Sequence, residues 1–77
     1  MKLINAVCAR IEELLKENLI DMSQLIEQSG IPQPTFATMK RNNTVKLSTV
    51  YGICEGLQIT LKEFFNSPLF DRENIID

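Results

Sequence analysis

The chain's 77 residues suffice for one small domain and not for two, and 44% hydrophobic with 23% charged residues is an ordinary globular balance. The absence of histidine removes the usual general base, the Ser/His and Cys/His nucleophile pairs and the commonest zinc ligand. The two cysteines are too few for a disulfide framework and lie in no CxxC spacing. The net charge of −2 argues against nucleic acid only until its distribution is considered.

No apolar run approaches the roughly 18 residues that span a bilayer. Glu12 and Glu13 interrupt the start before a secretory apolar region can form. A cytoplasmic location is therefore expected. The carboxylates are spread along the chain, so neither an enzyme, a metal site nor a cofactor is expected.

Hydrophobic spacing predicts five helices and no strand. The first runs from about Leu3 to Glu17, with Ile4, Val7, Cys8, Ile11, Leu14 and Leu15 on one stripe. Asn18 is the expected left-handed stop. The second covers about residues 22–28. Asp21 is its N-cap, Leu25 and Ile26 its buried side, and Gly30 its left-handed end. Cys8 and Cys54 read as reduced core thiols.

The third helix is preceded by "SGIPQP". Proline is tolerated at the first helical position and pushes its predecessor out of the helical region. Pro34 is therefore expected at the first position of a helix over about 34–41, with Gln33 as the extended residue before it. Pro32 stiffens the turn. At about 100° per residue, Phe36 and Met39 face the core. Pro34, Ala37, Thr38 and Arg41 lie opposite them, and Thr35 flanks that side. The two helices and the glycine between them form a helix–turn–helix.

After a polar connection, NNTVKL, a fourth helix spans about Ser48 to Glu55. Leu47, Val50, Tyr51 and Cys54 are its expected stripe, and Gly56 lies near its end. "TLKE" is a capping box that opens the fifth helix at Thr60. That helix ends before Ser67-Pro68. Leu69, Phe70, Ile75 and Ile76 are apolar residues that a disordered tail would not need.

Residues 1–27 carry five acids and three bases, and residues 55–77 carry five acids and two bases. Residues 28–54 carry no acid and three bases, Lys40, Arg41 and Lys46. This acid-free middle third is a candidate surface for an anionic partner.

The run "LIDMSQLIEQSGIPQPTFATMKRNNTVKLSTVYGICEGLQITLKEFF" resembles the helix–turn–helix domain of XRE-type regulators, the group of the lambdoid phage repressors. The signposts are Asp21, Leu25, Ser29-Gly30-Ile31, and Phe36 with Met39. The resemblance implies an all-α, compact five-helix DNA-binding domain over residues 1–66, with a short C-terminal extension over 67–77. It places the third helix in the major groove of double-stranded DNA. Gln33, Thr35 and Thr38 then match base-reading positions. Lys40, Arg41, Asn42, Asn43, Thr44 and Lys46 match or neighbour the segment along the DNA backbone. The chain departs from the pattern at Met22, where many members have Gln, at Ile26, usually Ala, at Pro34, and at Asn42, usually Gly.

Two functions remain in view. One is a sequence-specific transcriptional regulator, dimeric through Leu69, Phe70, Ile75 and Ile76. The other is an antitoxin-like or adaptor module that binds another protein with the same fold. Neither a membrane nor a small-molecule substrate is expected. The orientation of Arg41 and Lys46 relative to the third helix discriminates between the two readings.

Overall fold

Ile4, Val7, Ile11, Leu14 and Leu15 form the buried stripe of the first helix, α1 (Leu3–Asn18), in the computed structural model, which describes residues 1–77. Four more helices follow: α2 (Met22–Ser29), α3 (Gln33–Asn42), α4 (Leu47–Leu57) and α5 (Leu61–Phe65). Two single 3-10 turns, Pro68–Phe70 and Arg72–Asn74, close the chain, and no strand forms. One cluster of twelve buried residues joins all five helices, with Phe64, Leu25 and Ile53 wholly enclosed.

Both capping boxes form. The Asp21 carboxylate accepts from the Gln24 amide at 2.9 Å, and the Gln24 side chain accepts in return from the Asp21 amide at 2.9 Å. At α5, the Thr60 hydroxyl accepts from the Glu63 amide at 3.0 Å and the Glu63 carboxylate accepts from the Thr60 amide at 3.2 Å. Each box satisfies two amides that a helix start leaves without partners.

The helix ends differ in part from the sequence expectation. Gly30 is left-handed as expected, at φ 72°. The left-handed residue ending α1 is Leu19 (φ 55°), whereas Asn18 stays helical and donates its side-chain amide to the Leu14 carbonyl at 2.7 Å. The reason lies one residue on. The Ile20 amide donates to the Leu15 carbonyl and the Leu19 amide to the Lys16 carbonyl, a Schellman closure that turns Ile20 back onto the core. Gln58 (φ 57°) ends α4 in the same way and delivers Ile59 to the core. The fourth helix thus runs past Gly56 to Leu57.

The phase of α4 also differs. Val50, Ile53, Cys54 and Leu57 are buried, whereas Leu47 and Tyr51 are exposed. Both stripes fit a helical period. The packing of α2 on α4 selects between them, because Gly52 and Gly56, one turn apart, let α2 and the following turn approach closely.

The C-terminal segment folds back on its own chain. The Pro68–Phe70 turn packs on α1, and the Phe70 ring lies 5.0 Å from Phe65 and 6.1 Å from Phe64. The Ile76 amide donates to the Met1 carbonyl at 3.0 Å, and the Asp77 carboxylate accepts from the Leu3 amide at 2.8 Å. That last bond gives α1 a side-chain partner that Lys2, its N-cap, does not supply. Of the four apolar residues in this segment, Leu69, Phe70 and Ile75 are half-buried and Ile76 alone is exposed.

Candidate nucleic-acid interface

The start of α3 is set by what precedes it. Gly30 turns the chain and Ile31 packs against Gly52. Pro32 then supplies the extended N-cap residue, with φ −61° and ψ 140°. Gln33 is therefore the first helical residue and Pro34 the second, one residue earlier than the sequence predicts. The break that a proline imposes on its predecessor is already made at Pro32. Pro34 loses no hydrogen bond at the second position, since the first four amides of a helix have no partner within it. The Thr35 amide closes the first turn on the Pro32 carbonyl at 3.0 Å.

Met39 is buried and Phe36 half-buried against the core, so the inward face of α3 is the one its period predicts. Gln33, Pro34, Ala37 and Arg41 are exposed, and Thr35 and Thr38 are half-buried. The helix ends on Asn43, left-handed at φ 57°, after a helical Asn42. Asparagine tolerates that conformation better than most residues, which accounts for a turn here without glycine.

An open groove runs between α3 and the start of α4. Pro34, Thr35, Thr38, Thr44 and Lys46 line it, together with Ser48 and Thr49. Lys46 is the N-cap of α4 and makes no side-chain cap. The uncapped positive end of that helix therefore adds to the lysine charge beside the groove. Arg41 reaches toward the same side, with Nη2 3.5 Å from the Thr38 hydroxyl oxygen. Both cations thus lie with the outward threonines, in a stretch without any carboxylate. Ser48 and Thr49 were not anticipated from the sequence. Their signal was two adjacent hydroxyls, two and three residues after Lys46, in the first turn of α4.

The other anticipated positions lie elsewhere. Gln33 is at the exposed tip of α3, and Asn42 and Asn43 are exposed at its far end. Lys40 borders a different feature, a cavity of about 110 Å³ shared with Cys8, Glu12, Met22, Phe36 and Met39. Burial pushes the Cys8 thiol up from its ordinary value, and the Lys40 ammonium opposes that shift. Among the 77 residues, no cluster of three His, Cys, Asp or Glu side chains is placed to hold a metal ion. No helix is long and apolar enough to cross a membrane.

No curated protein and no solved structure gives a significant match to the chain. The family of Cro/C1-type HTH DNA-binding domains matches it over residues 10–68, from the middle of α1 to the first residue of the 3-10 turn after α5. That span contains the glycine-turned pair α2–α3, the threonine-lined groove and both capping boxes. The chain accordingly belongs to the Cro/C1-type HTH DNA-binding domain family.

Proposed function

We propose that the chain is a sequence-specific transcriptional regulator that inserts α3 into the major groove of double-stranded DNA. The observation that carries this reading is the shared side of Arg41 and Lys46, both beside the outward threonines of α3. Residues 1–66 form the DNA-binding unit, with 67–77 braced against it. Lys46, Arg41 and the hydroxyls of Thr44, Ser48 and Thr49 hold phosphates and set the register of the domain. Thr35 and Thr38 read base edges, as does Gln33 at the tip, which can pair with adenine through both ends of its amide. Asn42 and Asn43 follow α3 along the backbone, and Lys40 contributes from its flank. With so few cations on this face, useful affinity calls for a dimer on two half-sites about one helical turn apart. Ile76 is the exposed apolar residue that the C-terminal segment offers to a second copy. The location is cytoplasmic, with the DNA.

Selection from a random duplex library by the purified protein tests the proposal. A recovered motif is expected at low salt, and Gln33→Ala is expected to relax it at one base pair. Recovery of no motif at low salt would overturn the DNA reading in favour of a protein-binding module.

A further inference from the structure

The outward face of α3 has an unusual chemical content. Its exposed centre consists of the Pro34 ring and the Ala37 methyl, neither of which can donate or accept a hydrogen bond. Thr38 is half-buried, and its hydroxyl lies 3.5 Å from the Arg41 guanidinium. Thr35 is also half-buried and lines the groove toward α4. Beside those two partly covered hydroxyls, this face offers the floor of a DNA groove chiefly carbon, with one free amide at Gln33. In the major groove an unmodified duplex presents one apolar group of comparable size, the C5 methyl of thymine.

We infer, resting on the DNA-binding reading above, that Pro34 and Ala37 are specificity-determining residues that read thymine methyl groups. The recognised half-site then holds thymines opposite the first two turns of α3. Discrimination there comes from burial of methyl against carbon, not from a donor–acceptor pattern. Cytosine at those positions exposes a bare ring edge and loses the contact. 5-Methylcytosine restores the methyl and is partly accepted.

The experiment uses the full chain and the duplex recovered by library selection, with deoxyuridine placed at each thymine in turn. Uracil keeps the base pair and removes only the methyl. Binding is expected to fall about fourfold at each of one or two thymines, the factor for burying one methyl-sized group, and to stay unchanged at the rest. In Ala37→Gly, the uracil penalty at one of those positions is expected to vanish. Ala37→Ser, a milder change to the helix, is expected to shrink it, and circular dichroism checks that both variants are folded. A selected duplex that tolerates uracil at every position would overturn the methyl reading and leave DNA binding intact. A uracil penalty unchanged in both folded Ala37 variants and in Pro34→Ala would also overturn it. Failure to select any duplex would overturn both.

Discussion

Gly56 lies so close to Ser29 that a Cβ on it would fall 2.9 Å from the Ser29 Cα and 3.0 Å from its amide nitrogen. This contact sets the spacing of α4 from the end of α2, and so the position of the turn that aims α3. Alanine is the better helix former by about 0.8–1.0 kcal/mol. At Gly56, however, it would meet backbone that cannot rotate away, and overpacking of this kind costs about 1–3 kcal/mol. Gly56→Ala is therefore expected to destabilise the fold by up to about 2 kcal/mol in urea titrations. Gly52 is the control. A Cβ there meets the Ile31 Cδ1 at 3.0 Å, the far end of a side chain that can shift, at about 0.5–1.5 kcal/mol. Gly52→Ala is expected to be near neutral. An equal effect at the two glycines would contradict the backbone-contact argument.

Leu19 is 90% exposed and left-handed. It buries almost nothing to offset a conformation that costs an L-residue about 1–2 kcal/mol. Glycine removes that cost but adds disorder to the unfolded chain, about 0.4–1 kcal/mol. Leu19→Gly is thus expected to stabilise the fold by about 0.5–1 kcal/mol, a rise in Tm of roughly 3–6 °C. Calorimetry measures it, and a lower Tm would show that the leucine side chain holds the turn in some other way.

Local signals carried much of the architecture. Asp21, Gly30 and the Thr60–Glu63 box bound their helices from sequence alone, because each acts on amides or carbonyls within four residues of itself. The inward face of α3 was equally legible, since only Phe36 and Met39 could be buried there. The phase of α4 was not. Its stretch TVYGICEGL holds two overlapping stripes, and the choice depends on α2, a partner about 20 to 30 residues away in sequence. Two glycines one turn apart were the available clue to a close helix contact. The groove was half legible for a similar reason. Thr35 and Thr38 follow from the period of α3, whereas Ser48 and Thr49 join them only through the turn that brings α4 alongside. Lys40 and Arg41 are adjacent in sequence, yet 100° of helix sends them to different sides.

Arg10 lies off the apolar stripe of α1, yet its side chain is only 11% exposed. Its Nε donates to the Phe64 carbonyl at 2.7 Å and its Nη2 to the Glu63 carbonyl at 2.9 Å. These carbonyls belong to the five-residue α5, so one planar fork anchors a helix too short to hold itself. Hydrogen bonds from charged groups contribute about 1.5–3 kcal/mol, and the ion pair with the half-exposed Glu13 adds little. Arg10→Ala is expected to cost about 3 kcal/mol. Arg10→Lys should recover less than half of that, because an ammonium cannot serve both carbonyls with the same geometry. Full recovery by lysine in urea titrations would reduce the role of Arg10 to charge alone.

Cys54 is 1% exposed, and burial pushes its thiol above the ordinary value of 9.0. Below pH 9 the thiol is protonated in both states. As pH rises past that value the unfolded chain releases the proton while the folded chain retains it, so this contribution to stability is progressively lost up to the folded pKa. Urea midpoints of the wild type are expected to fall, as pH rises past 9.0, more steeply than those of Cys54→Ala, although the variant is less stable throughout. Parallel profiles would show that other groups govern the alkaline loss.

In the proposed DNA complex, Lys46 and Arg41 give the interface a salt signature. Each phosphate neutralised on duplex DNA contributes about −0.9 to the slope of log K against log salt concentration. Three cations in the acid-free third of the chain, with Lys40 on the flank, set a shallow slope for a single domain. Lys46→Ala is expected to weaken binding to all duplexes by a similar factor and to lower the magnitude of the slope by about one, since a phosphate contact carries no base information. Arg41→Ala should do the same if its guanidinium leaves Thr38 for a phosphate. If it reads a base instead, the loss will be confined to one position of the motif and the slope will hold. Fluorescence anisotropy at four or five salt concentrations, on the selected duplex and on a scrambled one, separates these outcomes. A Lys46→Ala slope equal to that of the wild type would remove Lys46 from the phosphate contacts.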